Sequence, residues 1–384
     1  MKFSVKKTKL EKAVKNICRV INNKNALPIL GDIRFSVNEK DKVLTILGGD
    51  SEIYLSYLLC LETAEGGGEF CVSASYLSDA LVELKEQPLE IIADIEHGTD
   101  AKFVIRHEKG QTVFPLESAD EYPTVEEIDE DKATLWQMTT GTLKRSISRS
   151  LYAMANDDLR VIMNSVFFDV KDDHLNIVAS NGHVLSRTRI AVDSSMTPGN
   201  FVMPRKTARL MTSLLATDDM EDVTDILFNE RMAQFESDNM KVQFVFIEGK
   251  YPNYESVIPD GKHELTIDRQ ELLSAIRNVG NFTPDSSRFV RLDIYPDQRM
   301  ILTGEDCDFS KMADDSISIE SEYNEQMSIG LKSTSLIDTL KQLSEPTIMM
   351  RFTEPSRAIT IVPVDPIHDD EEITMLLMPM VIPD

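Results

Sequence analysis

Apolar and polar positions fall into the same order three times along this chain. Val5, Leu10, Ala13 and Val14 open the first occurrence, Met138, Leu143, Ser146 and Ile147 the second, and Ile267, Leu272, Ala275 and Ile276 the third. In each, a short alternating strand runs into an apolar helix stripe five residues on. The phase persists, because Leu30, Met163 and Leu292 each stand 25 positions beyond their opening residue. A second echo follows: Leu44-x-Ile46-x-x-x-Asp50, Leu175-x-Ile177-x-x-x-Asn181 and Met300-x-Leu302-x-x-x-Asp306. The period of about 130 residues exceeds that of solenoids and is long enough for each repeat to bury its own core. The expected domains are 1–130, 131–261 and 262–384. The acidic stretch Glu126–Asp131 and the turn cluster Pro259-Asp260-Gly261-Lys262 fall at the two boundaries.

Within each repeat the periodicity predicts two helices, over 6–21 and 74–87, 141–150 and 204–215, 268–280 and 331–343. Between them lie short runs rich in Val, Ile, Phe and Tyr, such as Ile33–Val37, Val43–Leu47, Ile53–Leu59, Val166–Val170, Leu175–Ala179 and Leu185–Ile190. These alternate as antiparallel strands do. The fold class is therefore α+β: three repeated domains, each an antiparallel sheet with two helices packed on one side.

Charge changes this picture. The net charge is -25, which taken alone argues against a nucleic-acid partner. The six predicted helices, however, carry a combined +10, leaving -35 on the rest of the chain. In the first helix Lys9, Lys12, Lys15 and Arg19 lie opposite the apolar stripe of Leu10, Ala13, Val14 and Ile17. In the third, with Gly141 and Thr142 as start signals, Arg145 and Arg149 lie opposite the stripe of Leu143 and Ile147. A single basic helix face reads most simply as solvated; its recurrence favours an anionic partner.

Catalytic and metal signatures are missing from the sequence. There is no G-x-S-x-G, no H-E-x-x-H and no phosphate-binding loop, since Gly66-Gly67-Gly68 is followed by Glu69 and reads as a hairpin turn. His183, in Ser180-Asn181-Gly182-His183, is a lone turn histidine. Cys18, Cys60, Cys71 and Cys307 have no metal or redox spacing and suit a reducing cytoplasm. No run approaches a membrane span and the N-terminus lacks a signal-peptide pattern. No cofactor, no metal and no catalytic residue are expected.

MKFSV at the N-terminus, Leu27-Pro28-Ile29-Leu30-Gly31, Ser180-Asn181-Gly182-His183, Pro204-Arg205-Lys206, Tyr251-Pro252-Asn253-Tyr254 and Met378-Pro379-Met380 occur in that order. In this the chain resembles the bacterial DNA sliding clamp family, the beta subunit of DNA polymerase III. The resemblance implies a head-to-tail homodimer closed into a ring around duplex DNA, with helices lining the hole and sheets outside. A basic lining and an acidic exterior then account for the split charge. It implies DNA contacts at Lys24, Arg205, Lys206 and Lys332, beside Lys12, Arg145 and Arg149 from the helix faces. Ser75 and Tyr76 stand where the family often has a basic pair.

The resemblance further implies a cleft that captures short peptides of the polymerase III catalytic subunit, the clamp loader, other polymerases and repair proteins. The matching residues are Arg160, Met163, Ser180, Gly182, His183, Leu185, Pro252, Val257, Leu376, Leu377, Met378, Pro379 and Met380. Methionine suits a site that accepts several sequences. Phe114 and Phe282 match the dimer seam. Where many relatives have Gly-His-Arg-Leu this chain has Gly182-His183-Val184-Leu185, and it ends Val381-Ile382-Pro383-Asp384 in place of a basic-apolar pair. The rival readings are a hydrolase or transferase built from dispersed carboxylates, and a peptide-binding ring or adaptor that does not encircle DNA.

Overall fold

The computed structural model describes residues 1–21, 27–95, 101–157, 159–171, 173–192, 196–215 and 222–382. The same order of ten elements occurs three times, and the first pass adds two short strands. The first pass runs β1 (Lys2–Lys6), α1 (Lys7–Ile17), β2 (Asp32–Asn38), β3 (Val43–Gly49), β4 (Ile53–Cys60), β5 (Thr63–Glu65), β6 (Gly68–Ser73), α2 (Ala74–Val82), β7 (Pro88–Asp94), β8 (Lys102–His107), β9 (Gly110–Pro115) and β10 (Glu117–Ser118). The second runs β11 (Thr134–Thr139), α3 (Thr140–Ser150), β12 (Ser165–Lys171), β13 (His174–Ser180), β14 (Val184–Ala191), β15 (Gly199–Pro204), α4 (Arg205–Leu214), β16 (Val223–Phe228), β17 (Met232–Ser237) and β18 (Met240–Val245). The third runs β19 (His263–Asp268), α5 (Arg269–Gly280), β20 (Phe289–Tyr295), β21 (Arg299–Asp306), β22 (Lys311–Ser318), β23 (Met327–Lys332), α6 (Ser333–Leu340), β24 (Thr347–Phe352), β25 (Ile359–Pro363) and β26 (Glu371–Leu377).

By contacts the chain divides into two compact units, Met1–Leu143 with Ser213–Phe246, and Lys144–Thr212 with Ile247–Asp384. The first unit holds a five-stranded sheet, β5-β1-β7-β8-β9, and a nine-stranded sheet, β10-β6-β2-β3-β4-β18-β17-β16-β11. The second holds an eight-stranded sheet, β15-β12-β13-β14-β26-β25-β24-β19, and a four-stranded one, β22-β21-β20-β23. All pairings are antiparallel. The large sheets are composite: the middle four strands of one repeat meet the outer four of the next, through β4–β18 and through β14–β26.

α1, α5 and α6 touch strands of two sheets and so do not lie on one side of a single sheet, whereas α2 touches β2 and β6 of the nine-stranded sheet. α1 packs on β1 of the small sheet and on β3 and β4 of the large one, and α5 likewise touches β19 and β20 to β22. The reason is their amphipathic stripe: Leu10, Ala13, Val14 and Ile17 are at most 1% exposed. α5 starts where Asp268 Oδ1 accepts the Glu271 N–H at 2.8 Å, a side-chain cap for an otherwise orphaned donor. In the first unit Phe35 stacks on Phe70 at 5.1 Å and both meet Phe103 at 5.7 Å, filling the space between sheets with aromatic volume.

Two sequence expectations need correction. Leu30 and Met163 each close a 3-10 turn two residues ahead of β2 and β12. Leu292 instead lies inside β20, paired with Leu302, where its counterparts by register are Phe35 and Phe168. The third repeat has a shorter connection from α5 to β20 and omits that turn, so the constant offset matched residue type without matching position. Gly66-Gly67-Gly68 is not a hairpin either. It carries the chain from β5 in the five-stranded sheet to β6 in the nine-stranded one, with Gly66 at φ +79° and Gly68 at φ +152°.

Candidate functional site

The β13–β14 turn is built by its own side chains. Asn181 Oδ1 accepts the N–H groups of His183 at 2.9 Å and Val184 at 3.0 Å. Ser180 Oγ donates to the Val184 carbonyl at 2.9 Å and accepts from Gly182 N at 3.1 Å. Gly182 sits at φ +86°, a backbone conformation that calls for glycine, and a Cβ there would lie 3.0 Å from Arg160 Nη1. Arg160 Nη1 donates to the Asn181 carbonyl at 3.0 Å and Nη2 to Asp157 Oδ2 at 2.8 Å, which holds the Asp157 carboxyl below its ordinary range.

Beneath the turn, Leu185 and Leu376 face each other across β14 and β26 at 1% and 2% exposure. They belong to a cluster with Phe167, Val178, Val202, Tyr251 and Tyr254, in which Tyr251 stacks on Phe167 at 4.6 Å and 7°. Each such aliphatic side chain contributes about 1.5–3 kcal/mol by burial. Over this floor stand the exposed Val257 and Met378. Met378 N donates to the His183 carbonyl at 2.8 Å, and Met380 N donates to Gly330 O at 2.8 Å. Pro379 thus lies between two fixed backbone points, and the chain end runs from the eight-stranded sheet to β23.

Arg160, Met163, Ser180, Gly182, His183, Leu185, Pro252, Val257, Leu376, Met378, Pro379 and Met380 therefore belong to one neighbourhood of the second unit. Leu377 does not share this face: strand alternation turns it away from Leu376, and it is 1% exposed opposite Val184 and Ile359. Sequence reasoning missed the exposed Val161 and the aromatic pair Tyr251 and Tyr254. The signal for the pair was present in Tyr-Pro-Asn-Tyr, whose second tyrosine donates to the buried Asp169 at 2.8 Å.

The basic helices divide into two kinds. On α1, Lys9, Lys12 and Lys15 are exposed along the face opposite the buried stripe, and Arg19 is exposed in the turn that follows. On α4, Lys206 and Arg209 are exposed. Lys332, the residue before α6, is exposed as well. Lys24 lies outside the described residues.

On α3 the expected outward stripe is corrected. Arg149 is 8% exposed, and its guanidinium bonds one oxygen of Glu371, while Arg145 Nη2 meets the other at 2.5 Å. The Glu371 side chain is 0% exposed, so the pair of cations compensates a carboxylate buried at the start of β26. Glu371 also has His368 and Asp370 within 4.8 Å, but both its oxygens already carry a guanidinium, so the trio is not an open donor set for a metal. Arg205 is likewise turned inward. Its fork donates to the Met154 and Ala155 carbonyls and, at 2.5 Å, to Asn156 Oδ1. Burial first, and then the Arg209 charge, lower its pKa. It ties the 154–156 segment to α4 and offers little to a phosphate.

Comparison with known proteins places these features in a family. Models of the N-terminal, central and C-terminal domains of the DNA polymerase III beta subunit match residues 1–126, 137–253 and 255–381. The beta sliding clamp of Bacillus subtilis is 25% identical and aligns over 99% of both chains. That of Haemophilus influenzae is 24% identical over 99% of this chain and 100% of its own. Among solved structures, the DNA polymerase III subunit beta of Pseudomonas aeruginosa superposes with a TM-score of 0.89 at 22% identity, covering 100% of both chains. The sliding clamp of Bacillus subtilis gives 0.88 at 24% identity, covering 100% and 99%.

Replacing Glu371 with Gln leaves the two guanidinium groups facing a neutral amide, with Arg149 still buried. The expected loss is about 3 kcal/mol of stability in urea unfolding. An unchanged midpoint would contradict the buried-triad assignment.

Proposed function

The chain belongs to the DNA polymerase III beta subunit family, and on that premise we propose that it closes as a head-to-tail homodimer around duplex DNA and presents the β14–β26 face to short peptides of its partners. The family is that of the DNA sliding clamp, a non-catalytic processivity factor in replication. The three-domain division at 1–130, 131–261 and 262–384, a cytoplasmic location, and a partner set of polymerase III catalytic subunit, clamp loader, other polymerases and repair proteins are part of the proposal. Among the described residues no helix is long and apolar enough to cross a membrane.

The carrying observation is that two strand joints have one register. Leu55 opposes Val242 across β4–β18, and Ser186 opposes Met375 across β14–β26. Tracing ladder partners through each repeat makes Leu55, Ser186 and Ala313 equivalent, and likewise Thr112, Val242 and Met375. The third joint is missing: β22 and β9 each end their sheets. Unpaired edges are ready templates for another chain. A second copy supplies both partners at once and closes both seams.

Side chains along the two edges support this. The third joint would set Ala313 opposite Thr112 and Met312 opposite Val113, and both Met312 and Val113 are exposed, at 58% and 46%. Phe309 adds 71% exposure on one side and Tyr76, packed 6.4 Å from Phe114, adds 56% on the other. Phe282, half-buried just after α5, sits beside the β22 edge in this reading. Lys9, Lys12, Lys15, Arg19, Lys206, Arg209 and Lys332 are the proposed phosphate-facing cations, with Arg145 contributing through its exposed part. Contacts of that kind bind DNA without reading its sequence.

Two outcomes follow. With exposed Cys60 and Cys307 changed to Ser, Thr112→Cys combined with Ala313→Cys should give a covalent dimer on oxidation, since opposed strand residues lie within disulfide reach. Thr112→Cys with Asp315→Cys, two residues out of register, should not; equal cross-linking by both pairs would refute the register. Deleting Met378–Asp384 should abolish binding of polymerase-type peptides while the dimer persists, as read by peptide titration and sedimentation. Unchanged peptide affinity would refute the cleft, and loss of the dimer would make the tail structural.

A further inference from the structure

The β4–β18 joint repeats more than the register of β14–β26. In the second unit one row of outward side chains reads Phe167, Val178, Arg187, Thr374 across four strands. In the first unit the equivalent row reads Arg34, Leu47, Ser56, Lys241. The next row, Leu185 and Leu376 in the peptide cleft, becomes Tyr54 and Gln243. Tyr122-Pro123 repeats Tyr251-Pro252, and Tyr122 joins Leu47 and Tyr54 in a cluster as Tyr251 joins Val178 and Leu185. Tyr122 is 4% exposed, and its hydroxyl has no hydrogen-bond partner among the described residues.

Resting on the peptide-cleft reading above, we propose that this face of the first unit is a second peptide site, for a short extended segment with one apolar side chain between two carboxylates. A cavity of about 380 Å³ lies between the sheet face and the Thr124–Glu127 segment, within the range of ligand sites. Its floor is Leu47 and Tyr54, which take the apolar side chain. Its flanks are Arg34 and Lys241, where the peptide cleft has Phe167 and Thr374. Three strand spacings separate the two cations, roughly 14 Å. Carboxylates at i and i+4 of an extended peptide span about the same distance, and the residue at i+2 points to the same face.

Both cations already have partners. Arg34 meets Glu69 at 2.6 Å and Lys241 meets Glu236 at 3.5 Å, with the two carboxylates 44% and 48% exposed. Such surface pairs contribute little and exchange readily, so a ligand carboxylate replaces either one at small cost. Glu127, on the opposite wall, disfavours a third negative charge near the centre and so fixes acids at the ends.

The test is a methyl-resolved NMR titration of the full dimer with the probe acetyl-Asp-Ser-Leu-Ser-Asp-amide. Saturable shifts of the Leu47 and Val125 methyls are expected, and they persist when Met378–Asp384 is deleted. Arg34→Gln and Lys241→Gln should each weaken them by roughly fivefold, the size of one exposed ion pair. The Lys-Ser-Leu-Ser-Lys analogue should bind more weakly than the acidic probe. Shifts confined to Val257 and Met378, or lost on the deletion, would mean that the probe uses only the cleft and would overturn the proposal. So would an equal response to the basic analogue, or no saturable shift. The cleft reading is judged separately in the same samples, by whether a polymerase-type peptide is lost on the deletion.

Discussion

An antiparallel strand edge must be paired, covered or left to water, and that requirement organises this molecule. Each repeat brings two edges to the joints between repeats, the last strand of its outer four and the third of its middle four. Within one chain, β4 meets β18 and β14 meets β26, so four of the six edges are satisfied. The remaining two, β9 and β22, carry exposed apolar side chains. The joint used twice with one register is thereby left open at these two edges, and in the proposed dimer assembly continues folding by the same hydrogen-bond ladder.

The same joints create surface where the two kinds of four-strand segment meet. At β14–β26 that surface is largely apolar and has the exposed Met378 beside it; at β4–β18 the equivalent positions hold Arg34, Lys241 and Gln243. One architecture thus yields two faces with different chemistry, because the shared register fixes where these side chains stand and not which residue types they are. Charge is placed with equal economy. The exposed faces of α1 and α4 carry Lys9, Lys12, Lys15, Lys206 and Arg209, whereas α3 spends Arg145 and Arg149 on the buried Glu371 of β26. That carboxylate sits at the opposite end of the strand from Leu376, so the ion triad fixes the far end of β26 and gives the proposed peptide cleft a rigid base.

Local physics was legible in the sequence. The six helices were found within a few residues because their stripes are amphipathic and their interiors contain neither proline nor a long β-branched run. Each of the six strand runs lies within an observed strand; those in β2, β3 and β4 alternate in burial, whereas those in β12 and β13 are buried on both faces. Non-local physics was not. Nothing near Arg149 in sequence announces Glu371, more than two hundred positions away. Arg205 looks like an exposed helix-start cation until the carbonyls of Met154 and Ala155 arrive beside it. Leu377 reads as continuous with Leu376 although a strand sends them to opposite faces. Leu292 shows how a fixed offset misleads once a connection has lost a turn. The peptide neighbourhood was reached through a resemblance, since its parts come from four separated segments and no spacing rule joins them.

The proposed ring holds DNA by encircling it and not by surface contact. The most direct measurement is retention, after clamp-loader-dependent loading, on nicked circular DNA compared with the same DNA cut once, at a salt concentration that removes surface electrostatic binding. The account predicts persistence on the circle and rapid loss from the cut molecule, because sliding off an end releases a ring that contacts alone do not hold. Equal retention on both, or loss from both as salt rises, would show that binding is by contact and would contradict encirclement.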